Sequence, residues 1–567
     1  RSYVSRIEKS AIEKLRTFFL AVIVAGGNCR WRSFAGTAVN AWNKQEERGG
    51  YMGVCIVNSA VIQGVEAKMI QVEADVSNGL PVFHMVGYLS GEVREAAERV
   101  RTAIRNSGIV LPPKKIIVNL APGSIRKKGT AFDLPIALSI MAALEIFPEE
   151  RLRDVMIAGE LGLDGSVQKV SGILPIVQKA GREGFKCCIV PEQNAAEGAL
   201  VEKITVYGVN SLEEVCSYLK GEKKLEPAMC KDARECGRLL DSELLDYSEI
   251  QGQEIVKRAA TVAVAGGHNL LLVGPPGSGK TMAAKRIPTI LPKPSLEESM
   301  EVTSLYSVVG KVEETHPLML GRPFREVHHT VTKAALIGGG NYPVPGEISL
   351  AHGGVLFLDE LAEFKKSVLE VLRQPLEEQK IHLARNQANY TFPADFMLVA
   401  AMNPCPCGNY PAQTCTCTPQ QIQNYLARIS QPFLDRLDIC IETPRVDYAA
   451  LHTQQKQERS VDIRARVCAA REIQKKRYEG LPFSVNARLG AKEIRKHCVL
   501  DAVTEQIMEQ AFCTLGLTAR TYHKILRVAR TIADLAGSEV ITPAHIKEAI
   551  GYRTVDKKIL GGKAYDL

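Results

Sequence analysis

The segment Gly274-Pro275-Pro276-Gly277-Ser278-Gly279-Lys280-Thr281 follows the apolar run Asn269-Leu270-Leu271-Leu272-Val273. No other feature constrains the chain as much, because a buried strand must here give way to a helix through a glycine loop of fixed length. Gly277 and Gly279 let backbone N–H groups turn inward around a polyphosphate, and a helix starting near Met282 adds partial positive charge. Lys280 is spaced to reach β- and γ-phosphates, and the Thr281 hydroxyl to ligate Mg²⁺. The expected occupant of residues 274–281 is ATP with Mg²⁺.

About 80 residues on, Val355-Leu356-Phe357-Leu358 runs into Asp359-Glu360. An apolar strand ending in adjacent carboxylates fits a Mg²⁺-holding Asp359 and a Glu360 that orients or deprotonates the attacking water. Phe396-Met397-Leu398-Val399-Ala400-Ala401-Met402-Asn403 repeats the design with an amide at the tip. Lysine loop, acidic strand and polar strand tip together are the AAA+ arrangement. Such motors complete their site with an arginine from the neighbouring subunit, since a charge supplied in trans stabilises the transition state. Arg436, in Pro432-Phe433-Leu434-Asp435-Arg436-Leu437-Asp438, is the first candidate, the alternative being an intrachain ion pair with Asp435 or Asp438. Arg520, at the start of a helix over 518–535, is the second, reaching the γ-phosphate from the lid.

Between the acidic strand and Asn403, Lys380-Ile381-His382-Leu383-Ala384-Arg385 and Ala388-Asn389-Tyr390-Thr391-Phe392 flank a polar tip and predict a hairpin. Lys380, His382 and above all Arg385 are the candidate DNA contacts, able to follow phosphates without reading bases. A solvated surface hairpin is the alternative. Residues 338–349, rich in Gly and Pro, read as a second channel loop or a plain surface loop. The basic run Arg126-Lys127-Lys128 is a further candidate for DNA or for simple solvation. The net charge of +8 adds little, because residues 1–51 hold nine Lys/Arg against four acids.

Cys405-Pro406-Cys407 and Cys415-Thr416-Cys417 place four of the chain's 15 cysteines within thirteen residues. On a Gly/Pro-rich loop they would close a tetrahedral Zn²⁺ site; unligated thiols and redox pairing remain open. Fifteen cysteines with no evident secretory segment suggest a reducing, cytoplasmic setting. The run Phe18–25 is too short to span a bilayer, so no membrane is expected as a partner.

These segments, with Ser77-Asn78-Gly79-Leu80-Pro81, Val118-Asn119-Leu120-Ala121-Pro122, Phe132-Asp133-Leu134-Pro135 and Asn403-Pro404-Cys405-Pro406-Cys407-Gly408, resemble the ComM/YifB family of magnesium-chelatase-like AAA+ ATPases. The likeness covers nearly everything from Met52 onward. It implies a homo-hexameric ring acting on single-stranded or branched DNA, a branch-migration helicase of natural transformation that would meet recombination proteins. Alternatives are a chelatase-like motor subunit driving Mg²⁺ into porphyrin, or an AAA+ protein remodeller. One departure is Arg325-Glu326-Val327-His328-His329, where relatives commonly have Pro before the His pair, so the role of these histidines is open.

The front region resembles the Lon protease domain, with Ala131 at the serine position and Leu174 or Ile176 at the lysine position, so the catalytic Ser-Lys pair is missing. The expected fold is α/β: a Lon-like α/β domain at 52–222, a linker at 223–245, an AAA+ P-loop core with the four-Cys loop at 246–448, and a helical lid at 449–567. Residues 1–51 read as an extension ahead of a natural start at Met52. Expected front-domain elements are strands at 54–57, 69–76 and 116–120 and helices at 91–107 and 134–144. Lid helices are expected at 449–478, 487–498, 502–515, 519–536 and 543–550.

Overall fold

The computed structural model describes residues 54–229, 237–238, 245–340, 342–385, 388–445 and 457–553. The expected extension 1–51, the tip residues 386–387 and the start of the expected lid lie outside these residues.

Alternation of apolar side chains builds the front sheet. Its order is Phe83–Val86, Lys115–Ala121, Glu66–Ser77, Cys55–Gln63, Val155–Ile157, Cys187–Pro191, Thr205–Val209. Cys55–Gln63 and Glu66–Ser77 form an antiparallel hairpin turning at Gly64, whose φ is +70°. Both strands outrun the expected 54–57 and 69–76. Asn58 and Ser59 look like strand-ending residues, yet Ser59 and Ala60 are buried and the pairing continues. Helices Gly91–Asn106 and Asp133–Ala143 pack with this sheet in one core, at the places the apolar spacing predicts.

The second sheet is wholly parallel, in the order Phe324–Val327, Val355–Leu358, Met397–Met402, Leu270–Val273, Ile439–Glu442. Leu270–Val273 and Val355–Leu358 are completely buried, and Met397–Met402 nearly so. Burying each large apolar side chain contributes about 1.5–3 kcal/mol, which fixes these strands at the sheet centre. Parallel strands bring their C-terminal ends to one edge, where open α/β sheets bind ligands.

The lid consists of Ser460–Arg477, Ala491–His497, Ala502–Leu515, Ala519–Leu535 and Pro543–Gly551. Its first helix begins at Ser460, not at 449. Asp246 accepts the Ser460 N–H at 3.2 Å and the Ser460 hydroxyl accepts the Tyr247 N–H at 2.8 Å, so distant residues cap the helix there. The expected helix 487–498 is divided, because Gly490 is extended and N-caps Ala491–His497 after a short 3₁₀ turn, Asn486–Arg488.

Front sheet and core are joined by polar and apolar contacts. Gly172 N–H donates to Ser307 C=O at 2.9 Å, Lys169 pairs with Glu314 at 3.2 Å, and buried Glu197 accepts from the Ser307 hydroxyl. Leu174 is fully buried with Leu200 and Leu318 of the core. Of the two positions that align with the Lon lysine, Leu174 carries an interdomain apolar contact and Ile176 packs inside the front domain. Within the expected linker, residues 237–238 pair in parallel with Leu318–Met319, tying that segment to the core. No helix among the described residues is long and apolar enough to cross a membrane.

Candidate active site

The phosphate loop leaves Leu270–Val273 and enters helix Lys280–Ile290. Gly277 and Gly279 have φ of +76° and +84°, and a Cβ at Gly277 would meet nothing within 4 Å, so the cradle opens onto free space. Gly274 is required for another reason: its Cβ would come within 2.4 Å of the Thr443 carbonyl. Lys280 is 8% exposed, and its Nζ donates to the Gly274 and Pro275 carbonyls at 2.8 Å each and to Asn403 Oδ1 at 3.3 Å. Burial pushes its pKa down. A buried ammonium held by neutral acceptors at the mouth of such a cradle fits a polyphosphate.

Thr281 Oγ1 donates to Asp359 Oδ2 at 2.7 Å, so hydroxyl and carboxylate converge where Thr281 would ligate Mg²⁺ and Asp359 would hold it through water. The donor set fits ATP with Mg²⁺. Glu360, next in the chain, has φ +51°, a left-handed conformation that costs a non-glycine residue free energy. Its carboxylate lies 3.3 Å from His329 Nδ1, and the His328 and His329 rings are 4.0 Å apart. His329 follows Phe324–Val327, the strand paired with Val355–Leu358, so sheet register brings it beside Glu360. Sequence reading left these histidines without a role; strand order alone reveals the contact. Met397–Met402 lies between the two motif strands, and Asn403 at its end accepts from Lys280 Nζ.

Arg436 and Arg520 stand elsewhere. Leu270 pairs with Ile439, so Arg436 precedes the strand start and lies at the edge opposite the phosphate loop. Four strand residues separate the two edges by about 13 Å. Asn269 Nδ2 donates to the Arg436 carbonyl at 2.9 Å while its Oδ1 accepts from Leu398 N–H at 2.9 Å, locking this turn to the sheet. The Arg436 guanidinium pairs with Glu377, not with Asp435 or Asp438. Arg520 reaches to 3.8 Å from Asp435 and lines the same cleft as Arg436, Arg488 and Lys524. Neither arginine lies beside the chain's own phosphate loop.

The four thiol sulfurs all lie within 4.8 Å of one another. Cys405–Cys407, Cys407–Cys415 and Cys405–Cys415 are 3.4, 3.6 and 3.8 Å apart. Tetrahedral Zn²⁺ with Zn–S near 2.3 Å requires sulfurs about 3.8 Å apart, so the set fits that ion. Backbone N–H groups of Asn409 and Thr416 hold the Cys407 thiol down to about 5.

The hairpin forms as Lys380–Arg385 and Ala388–Pro393. Ile381, Leu383 and Phe392 are buried at its base, whereas Lys380, His382 and Arg385 are exposed. His382 Nδ1 lies 3.1 Å from Thr391 Oγ1 across the ladder. In the basic run, Lys127 is completely buried and donates to the Pro122 carbonyl, which removes it from any DNA surface. Arg126 and Lys128 stack on Tyr342 at 5.0 and 5.6 Å, tying the 338–349 loop to the front domain.

Comparison with known proteins accords with this geometry. Residues 246–451 match the family described as magnesium chelatase, subunit ChlI; 72–194 match subunit ChlI of Mg-chelatase, and 457–553 its C-terminal region. The chain is 42% identical over 510 residues to the Salmonella typhimurium protein called uncharacterized protein YifB, covering 90% of this chain and 99% of that protein. It is 43% identical over 508 residues to competence protein ComM of Haemophilus influenzae, covering 89% and 98%. A Lon protease of Trichlorobacter lovleyi is 25% identical over 174 residues, 29% of this chain and 21% of that protease. With an AAA+ sheet, a Lon-like front region and identity of this extent, the chain belongs to the ComM/YifB family of magnesium-chelatase-like AAA+ ATPases.

Proposed function

We propose that this chain is an ATP-driven motor that assembles as a homo-hexamer in the cytoplasm and moves branched or single-stranded DNA during recombination. In this reading Lys280 binds the β- and γ-phosphates, Thr281 and Asp359 hold Mg²⁺, and Glu360 activates water that Asn403 helps place. Arg436, with Arg520 beside it, completes the neighbouring subunit's site. The separation of the two arginines from the chain's own phosphate loop is the observation that carries the proposal, since a site split across opposite edges works only where subunits meet head to tail, as they do in a ring. Similarity to a protein named for competence supports DNA taken up in transformation as the substrate, with recombination proteins as partners. The test is ATP hydrolysis measured with branched DNA, single-stranded DNA, porphyrin or unfolded protein. Stimulation by branched DNA is expected, and stimulation by porphyrin or polypeptide alone overturns the reading.

Arg385, exposed at the hairpin end above a buried base, is the proposed channel contact. Arg385→Ala is expected to slow branch migration at least about tenfold, six phosphate contacts being lost per ring, while ADP affinity stays within about twofold. Gel-resolved migration of a synthetic four-way junction reads the first, calorimetry the second. An unchanged migration rate removes the hairpin from the mechanism.

His329 engages the carboxylate that should act on water. A side-chain contact of this kind contributes about 1 kcal/mol, so His329→Ala is expected to raise DNA-free ATP hydrolysis by up to about fivefold with KM unchanged. Steady-state kinetics decide this, and a lowered rate would mean that His329 aids Glu360 instead of holding it back.

A further inference from the structure

The guanidinium that the proposed ring lends to a neighbouring triphosphate is already engaged within its own chain. Arg436 Nη1 donates to the Pro432 carbonyl at 2.9 Å, and Nη2 pairs with the Glu377 carboxylate. The Arg436 side chain is 11% exposed and that of Glu377 59%, so the pair sits at the rim of the cleft of about 380 Å³ that both line with Arg488 and Arg520. A phosphate arriving at Arg436 competes with Glu377. Both anions accept from the same N–H groups, and two of them side by side on one guanidinium repel.

Glu377 is tied to the hairpin. It lies on the short helix Arg373–Glu378, which runs into Lys380–Arg385 through Gln379, a left-handed residue with φ +57°. Gln379 closes the hairpin base: its carbonyl accepts from Ala394 N–H at 2.8 Å, and its side-chain amide donates to Asp395 Oδ1 at 2.5 Å. Arg488 of the lid donates to the same Asp395 oxygen at 2.9 Å and to the Leu376 carbonyl at 3.3 Å. The helix that carries Glu377 and both hairpin strands are therefore cross-linked at one point, beside the arginine cleft.

We propose that Glu377 is a positioning residue that withholds Arg436 from the neighbouring triphosphate until DNA displaces the hairpin. DNA bound at the exposed hairpin end draws helix Arg373–Glu378 and its carboxylate aside, and the freed guanidinium turns to the phosphate. In the reverse direction, a triphosphate that captures Arg436 releases the hairpin stem. The proposal rests on the reading of Arg436 as the trans arginine and of the hairpin as the DNA contact, and it adds the residue through which one controls the other. A Glu377 that merely held Arg436 in its working place would have the opposite signature, since its loss would lower hydrolysis with and without DNA.

The test is steady-state ATP hydrolysis by the full chain, with and without a synthetic four-way junction. Glu377→Gln removes the charge at an exposed position and keeps the side chain's size. It is expected to raise DNA-free hydrolysis at least about threefold, the scale of an exposed ion pair, and to cut stimulation by the junction below about twofold, with KM for ATP within about twofold. Glu377→Asp, which restores the carboxylate, is expected to keep at least about half of the wild-type stimulation. A Glu377→Gln chain with lowered rates in both conditions, or with wild-type stimulation, overturns the proposal. Mixing locates the effect on the donated arginine. A Lys280→Ala/Glu377→Gln chain mixed with an Arg436→Ala chain should hydrolyse ATP without DNA at least about threefold faster than a Lys280→Ala chain in the same mixture. Equal rates of the two mixtures overturn the proposal. A wild-type chain that the junction fails to stimulate, or an Arg436→Ala chain that hydrolyses ATP normally, sinks instead the reading on which it rests.

Discussion

Lys280→Ala is expected to lower ATP affinity at least about 100-fold and to abolish hydrolysis. The ammonium is buried among the Gly274 and Pro275 carbonyls and Asn403, so it stands at the cradle before any ligand arrives. A hydrogen bond to a charged group contributes about 1.5–3 kcal/mol, and contacts to two phosphates give about 3 kcal/mol or more, roughly two powers of ten. Glu360→Gln separates binding from chemistry. It retains the fold of the acidic strand and the Thr281–Asp359 contact, so ATP affinity should stay within a few-fold. Hydrolysis should fall by about 10²–10⁴, the usual contribution of a general base. Equilibrium binding of a fluorescent ATP analogue and phosphate release measured on both variants test the pair. A Glu360→Gln chain that hydrolyses normally assigns the base to another group.

The motif strands were legible because nucleotide chemistry imposes linear spacing: a glycine loop must follow a strand directly, and a carboxylate pair must end one. Asp359, Asn403 and Thr281 meet the phosphate loop as that logic requires, and the two half-hairpins around Arg385 pair in the register their alternation implies. What sequence left open depends on partners distant in the chain. His329 reaches Glu360 only because the edge strand Phe324–Val327 lies next to Val355–Leu358. Arg436 pairs with Glu377, 59 residues away, where local spacing offered only Asp435 and Asp438. The first lid helix starts at Ser460 because Asp246, 214 residues earlier, takes its N–H. Periodicity reports which face of an element is buried, but not which distant side chain caps or pairs it.

Arg436→Ala is expected to reduce hydrolysis by about 10³ or more, the scale of an arginine supplied in trans, without loss of ATP affinity. The larger consequence appears on mixing. An Arg436→Ala subunit keeps an intact phosphate loop, and a Lys280→Ala subunit keeps an intact arginine, so each is inactive alone for a different reason. The structure sets Arg436 behind the start of Ile439–Glu442 and anchors its carbonyl to Asn269, too far from its own Lys280 to serve it. In the proposed ring, any activity of the mixture comes from contacts between unlike subunits. In a randomly mixed ring of equal parts, about one quarter of interfaces pair a good loop with a good arginine, so hydrolysis should recover to roughly a quarter of the wild-type rate. Co-purified, differently tagged variants assayed for phosphate release measure this directly. Arg520 offers an internal control: it shares the cleft at 3.8 Å from Asp435, so Arg520→Ala mixed with Lys280→Ala should recover by the same fraction. A mixture as inactive as its components would mean that the guanidinium edge faces no neighbouring triphosphate, and the ring would lose its catalytic reason to exist.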